Sequence, residues 1–163
     1  SWPEGRVARC SVTRPGRSRP AASGGQAAGP ESVWGAIRSL GVERIGHGIR
    51  SMEDPMLVDY LVERQIPLEV CPTSNLRTGV VANWEQHPVL DLIEAGALVT
   101  INTDDPAMFD VSLAGEFSNL EQRVGLDDAA LERLSLGAVE GSWADKETRA
   151  DLTGRIEDWW AAG

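Results

Sequence analysis

Helix-like and strand-like patterns alternate along most of this chain, and that alternation constrains its fold more than any other feature. Three short strand-like runs are predicted as strands, over residues 43–46, 66–71 and 97–102. Amphipathic runs between and after them are predicted as helices, over 30–40, 54–64, 88–95, 113–124, 127–139 and 145–160. Parallel βα units of about 25–30 residues give this rhythm, with the helices packed outside the sheet. The sequence therefore predicts an α/β fold built on a parallel sheet.

The length of the chain limits how large that sheet can be. The 163 residues suit one domain. A closed eight-fold β/α barrel takes at least about 200 residues. The prediction is therefore about three βα units with extra helices at the C-terminal end.

The first 29 residues differ in composition from the rest and are treated as a separate segment, leaving 30–163 as the folded domain. Five arginines face one acid, Glu4, within this segment, although the whole chain carries a net charge of −10. Glycine, proline, serine and alanine are frequent, and no helical or strand period is visible. Segment 1–29 is expected to be disordered or to be an out-of-frame translation, because such compositions arise when a GC-rich gene is read in a shifted frame.

The overall composition excludes several classes of protein. The acidic balance, 25 Asp and Glu against 15 Lys and Arg, argues against a protein that coats nucleic acid. Neither a long apolar run nor a signal peptide is visible, so no membrane partner and a cytoplasmic location are expected. Two cysteines do not make a disulfide framework.

Polar residues follow each of the three predicted strands. His47 follows the first between two glycines, the run from Cys71 to Asn75 follows the second, and Asp104 and Asp105 follow the third. Ligands of parallel sheets bind at the carboxyl ends of the strands. One histidine and two aspartates at such an edge suit metal-assisted activation of water. Each group alone is also consistent with a structural role, as a turn, a helix cap or a buried side chain. His87 precedes Pro88 at a predicted helix start and is expected as a loop or cap residue.

Three motifs resemble the adenosine deaminase family of zinc aminohydrolases. They are Arg44-Ile-Gly-His-Gly, Leu68-Glu-Val-Cys-Pro-Thr-Ser-Asn and Val99-Thr-Ile-Asn-Thr-Asp-Asp-Pro. They occur in the family's order, and the likeness runs from about Gly29 to the C-terminus. The resemblance implies the last part of an amidohydrolase-like (β/α)8 barrel, of the TIM type.

The resemblance also implies roles for particular residues. Asp104 is expected as a zinc ligand, Asp105 as a carboxylate that binds the purine, and His47 as the catalytic residue that orients the zinc-bound water. The implied reaction is the hydrolytic deamination of adenosine, a small-molecule purine nucleoside, to inosine and ammonia. Relatives that act on adenine or on aminofutalosine share these motifs, so the substrate stays open.

The two motifs that supply most of the family's zinc ligands are not present in this sequence. At the family's spacing, its His-Ala-Gly-Glu motif falls on Ser23-Gly-Gly-Gln26, and no His-x-His pair is present, since the only histidines are His47 and His87. One expected ligand of zinc, Asp104, remains, whereas catalytic zinc takes about three. Two functional hypotheses therefore remain. The chain is an inactive part of a zinc deaminase, or it is a non-catalytic remnant or interaction module. Marginal stability or self-association through open barrel edges is also expected.

Overall fold

A computed structural model describes residues 21–24 and 29–162, and its centre is a four-stranded parallel sheet. The strands are β1 (Ala21–Gly24), β2 (Arg44–His47), β3 (Leu68–Val70) and β4 (Val99–Ile101). Each strand pairs with the next one along the chain, so the sheet order is β1-β2-β3-β4. The strand ends are in register, with Gly24 opposite His47 and Val70 opposite Ile101. The predicted parallel α/β architecture is confirmed.

Eight α-helices lie among the described residues, six near the predicted ranges and two short ones that were not predicted. They are α1 (Gly29–Leu40), α2 (Pro55–Arg64), α3 (Pro72–Arg77), α4 (Val89–Glu94), α5 (Pro106–Phe109), α6 (Leu113–Asn119), α7 (Asp128–Glu140) and α8 (Lys146–Ala161). Shorter 3-10 turns lie at Ile49–Glu53 and Trp84–Gln86, and a π-helical turn, Leu120–Val124, extends α6. None of these helices is long and apolar enough to cross a bilayer.

Local signals in the sequence set several of the helix boundaries. Helix α2 begins after Asp54, whose carboxylate accepts hydrogen bonds from the amides of Met56 and Leu57. Pro55 follows at the first helical position, where its missing amide hydrogen costs nothing. Gly41 ends α1 with a φ of 58°, a left-handed conformation that favours glycine.

The structure differs from the sequence prediction at β1. Residues 21–24 form a strand inside the segment for which the sequence showed no strand pattern, so the sheet has four strands where three were expected. Its residues include the small, buried Ala21 and Ala22, which give no apolar signal of normal strand strength. Residues 1–20 and 25–28 lie outside the described residues, and the out-of-frame origin of 1–29 stays a prediction.

A single apolar core lies between the sheet and the helices. Its fully buried side chains come from helices and from strands β2 and β3: Val33, Ile45, Leu57, Leu61, Leu68, Val70, Leu92 and Leu134. Helix α7 lies close against β4 at Gly137, where an added Cβ would lie 2.7 Å from the carbonyl oxygen of Val99. This packing fixes β4 and therefore the position of the residues that follow it.

Candidate active site

The carboxyl ends of β2 and β4 bring His47 and Asp104 together. His47 Nε2 lies 3.7 Å from Asp104 Oδ2, although 57 residues separate the two in the chain. The imidazole is buried, whereas the Asp104 side chain is 39% exposed and faces the open edge of the strands. The pairing expected from the strand ends is thus present.

Both residues have strained backbone conformations. His47 and Asp104 each have a φ of 60°, in the left-handed region that non-glycine residues rarely adopt. Gly48 continues the turn at φ 69°, and a Cβ there would lie 2.7 Å from Leu68 Cδ2. Such conformations cluster at functional sites; Gln65 and Asp110 also adopt them, each at the C-terminal end of a helix. The packing around Gly48 holds the turn that presents His47.

Helix α3 supplies a second contact to Asp104. Ser74 Oγ is fully buried and donates a hydrogen bond to Asp104 Oδ2 at 2.7 Å. The same carboxylate oxygen therefore faces both the Ser74 hydroxyl and the His47 ring. This arrangement fixes the rotamer of Asp104 and leaves its other oxygen, Oδ1, for a ligand or metal.

Helix α3 also positions His47, through Asn75. Asn75 Nδ2 lies 3.2 Å from His47 Nδ1, and Asn75 Oδ1 lies 3.2 Å from Nε2 of His87. Asn75 and His87 are both buried. The sequence indicated turn formation for 73–75 and a loop or cap position for His87. The contact between Asn75 and His87 was not predicted. The only signals in the sequence were the position of Asn75 after a predicted strand and that of His87 before a predicted helix.

A buried carboxylate on α6 holds the start of α3 in place. Glu116 accepts hydrogen bonds from the Thr73 amide at 3.1 Å and from the Thr73 hydroxyl at 2.9 Å. Burial raises the pKa of Glu116, and the bonds from Thr73 oppose that rise. Glu116 was missed by sequence reasoning because its partner lies 43 residues away. Through Thr73, it supports the helix that carries Ser74 and Asn75.

Burial also governs the other titratable groups near the site. It lowers the pKa of His47, and the negative charges of Asp104 and Glu69 oppose that shift. It raises the pKa of the Cys71 thiol to about 12. The thiol lies 3.4 Å from the carbonyl oxygen of Glu69, so Cys71 stays protonated and fills a structural position, as expected.

Asp105 caps the short helix α5. Its Oδ1 accepts a hydrogen bond from the Met108 amide at 2.9 Å, and its side chain is exposed. The sequence left open a helix cap as its role, and the cap is present. The purine-binding role implied by the resemblance stays a prediction.

The site does not fit a catalytic zinc ion. Within residues 21–24 and 29–162, no three His, Cys, Asp or Glu side chains lie close enough together to hold a metal. Strand β1 reaches the same edge of the sheet, but serine occupies position 23 and glycine position 24. A single carboxylate such as Asp104 is fewer than the about three protein ligands that catalytic zinc takes.

Comparisons with known proteins decide the family. The family described as Adenosine deaminase matches residues 13–159, which is most of the chain. The chain belongs to the adenosine deaminase family. The match begins upstream of Gly29, where the visible likeness in the sequence began, and it includes β1.

Individual relatives carry several names within this family. The chain is 44% identical to an aminodeoxyfutalosine deaminase of Streptomyces avermitilis, over 85% of this chain and 38% of that protein. It is 42% identical to an adenosine deaminase of Klebsiella pneumoniae, over 81% of this chain and 40% of that protein. The chain thus spans about two fifths of the length of these relatives.

Solved structures confirm the amidohydrolase-like fold. An adenine deaminase from Arthrobacter aurescens superposes with a TM-score of 0.83 at 33% identity, over 85% of this chain and 42% of that one. An amidohydrolase from Burkholderia ambifaria, solved with bound Zn, superposes with a TM-score of 0.75 at 27% identity, over 88% and 42%. The chain has the fold of one part of these larger TIM-barrel proteins.

Proposed function

We propose that this chain carries part of the active site of a hydrolytic deaminase. The deaminase acts on adenosine or a related adenine-containing compound. The observation that carries this proposal is the contact between His47 and Asp104, with Ser74 on the same carboxylate. The family supports a hydrolase. The names of the relatives support an adenine-bearing substrate, and they include both adenosine and aminodeoxyfutalosine deaminases.

Each site residue has a distinct role in this proposal. Asp104 presents a carboxylate at the open end of the sheet, where it is one ligand of the zinc that the complete family site holds. His47 lies beside it and directs Nε2 toward the same space. Asp105 binds the purine by hydrogen bonding. We further propose that the polypeptide alone neither holds catalytic zinc nor deaminates, because serine and glutamine occupy positions 23 and 26.

A chimeric enzyme tests the function of this part directly. Residues 30–163 would replace the matching C-terminal region of the Klebsiella pneumoniae adenosine deaminase, which then supplies the earlier strands. We expect the chimera to release ammonia from adenosine, and we expect Asp104→Ala to lower kcat/KM by at least about a thousandfold, as loss of a metal ligand or charge-stabilising group does. A folded, zinc-loaded chimera without activity would refute the proposal.

The alternative function is a non-catalytic interaction module, and the missing metal ligands favour it for the isolated chain. In this case too, we propose self-association through the outer strands β1 and β4, since each has one edge with no partner strand within the described sheet. Light scattering during gel filtration measures this. Dimers or larger species are expected, and a monomer at all concentrations would contradict self-association.

A further inference from the structure

Asn75 connects the only two histidines of the chain. Its side-chain nitrogen faces Nδ1 of His47 and its oxygen faces Nε2 of His87, each at 3.2 Å. All three side chains are buried, at 7% exposure or less. In such surroundings a wrongly directed hydrogen bond is costly, because no water can replace it. The positions of the protons along this chain of contacts are therefore constrained.

A backbone amide sets the direction of the whole chain of hydrogen bonds. The amide N–H of Val89 donates to Nδ1 of His87 at 3.2 Å, and a backbone amide can only donate. Burial lowers the pKa of His87 to about 4, so the ring is neutral at pH 7 and carries one proton. Since Nδ1 accepts from Val89, that proton lies on Nε2.

The next two links follow from the first. Nε2–H of His87 donates to Asn75 Oδ1, so the Asn75 amide presents its NH2 group to His47. That group donates to Nδ1 of His47, which must then accept. With Nδ1 as an acceptor, the proton that the His47 ring carries lies on Nε2, the atom 3.7 Å from Asp104. In the reverse direction the proton of His87 would lie on Nδ1, where it would face the amide N–H of Val89.

We propose that Asn75 and His87 are positioning residues that hold His47 with Nδ1 as an acceptor and Nε2–H directed at Asp104. In this arrangement the neutral ring is a hydrogen-bond donor toward the reacting space and cannot remove a proton from a ligand there through Nε2. The importance of this for deamination rests on the proposed function. The proton positions themselves do not.

Nitrogen NMR of the full chain labelled with 15N-histidine tests the proposal without metal or substrate. The chain has two histidines, so the spectrum holds two imidazole patterns, assigned by single substitution. At pH 7.5 we expect both rings in the Nε2–H tautomer. A Nδ1–H tautomer at either ring, or the mixture typical of a free imidazole, would overturn the proposal.

Two substitutions test the cause of the tautomer. Asn75→Asp replaces the amide donor with a carboxylate of nearly the same shape, which can only accept. His47 Nδ1 should therefore become protonated, while His87 keeps its Nε2–H. Ser74→Ala is the matched control, because it alters the neighbouring residue on α3 and removes a bond to Asp104 only. It should leave both tautomers unchanged.

The outcomes separate this proposal from the proposed function. If His47 keeps Nε2–H in Asn75→Asp, Asn75 does not position it and the inference is wrong, whatever the chimera does. If Asn75→Asp fails to fold, the wild-type spectrum alone decides, since any tautomer pattern other than Nε2–H on both rings contradicts the hydrogen-bond direction. An inactive chimera with the expected spectrum would refute the proposed function and leave this inference in place.

Discussion

The carboxyl ends of the strands and the interface between β4 and α7 are built on opposite principles. The first region buries polar groups, Ser74, Asn75 and His87, and holds His47 and Asp104 in strained left-handed conformations. The second is apolar and close-packed, with Leu134 fully buried and Gly137 against the backbone of Val99. Backbone strain and buried polar groups at the strand ends raise the free energy of the folded state. Close packing elsewhere in the fold offsets this destabilisation. The packed region should therefore respond mainly to changes of side-chain size, and the strand-end region to changes of protonation.

Truncation of a core side chain should have the largest effect. Leu134→Ala removes a side chain that is 1% exposed, so it should lower the free energy of unfolding by about 2–5 kcal/mol. Urea denaturation measures this. Leu113→Ala is the control, because Leu113 is 50% exposed, and it should change stability by less than about 0.5 kcal/mol. Equal effects would show that α7 does not pack as described.

Acid should act on the strand-end region through His87. Its folded-state pKa, about 4, lies below the ordinary value of 6.5. Between these values the unfolded chain binds the proton more strongly, so stability falls as the pH drops, by roughly 3 kcal/mol from this group. His87→Gln cannot titrate there and should show a correspondingly smaller loss between pH 6.5 and pH 4. The difference between the two urea-stability curves isolates His87 from the carboxylates, and parallel curves would contradict its burial as a neutral ring.

Two glycine-to-alanine substitutions should have opposite effects on stability. Gly137→Ala places a Cβ against the Val99 carbonyl and should cost about 1–3 kcal/mol. Gly154→Ala lies within α8, where an added Cβ meets no atom within 4 Å, and should stabilise by up to about 1 kcal/mol. Thermal melting of both variants measures the contrast. A neutral Gly137→Ala would remove the argument that close approach at this glycine positions β4.

The sequence predicted the fold best where local chemistry is strong. Asp54–Pro55 marked the start of α2, and the apolar run ending at Asn102 marked β4. Strand β1 was missed because its short run, with Ala21 and Ala22, has no apolar periodicity. Helix α3 was missed because proline, threonine, serine and asparagine together are typical of a turn.

The candidate site was predicted only in its strand-end residues. The adjacency of His47 and Asp104 followed from parallel topology, which brings strand ends to one edge. The contacts of Asn75 with His87 and of Thr73 with Glu116 depend on how loops and helices return to that edge, 12 and 43 residues later. No periodicity or motif in a single sequence encodes such a return.

The zinc content of the purified chain tests the central claim most directly. That claim is that the chain carries the His47–Asp104 part of a family active site but too few ligands for the metal. Metal analysis after incubation with zinc and dialysis should find far less than one zinc per chain. One tightly held zinc per chain, lost on Asp104→Ala, would contradict the account and would show that residues outside the described ranges, or a second copy of the chain, complete the site.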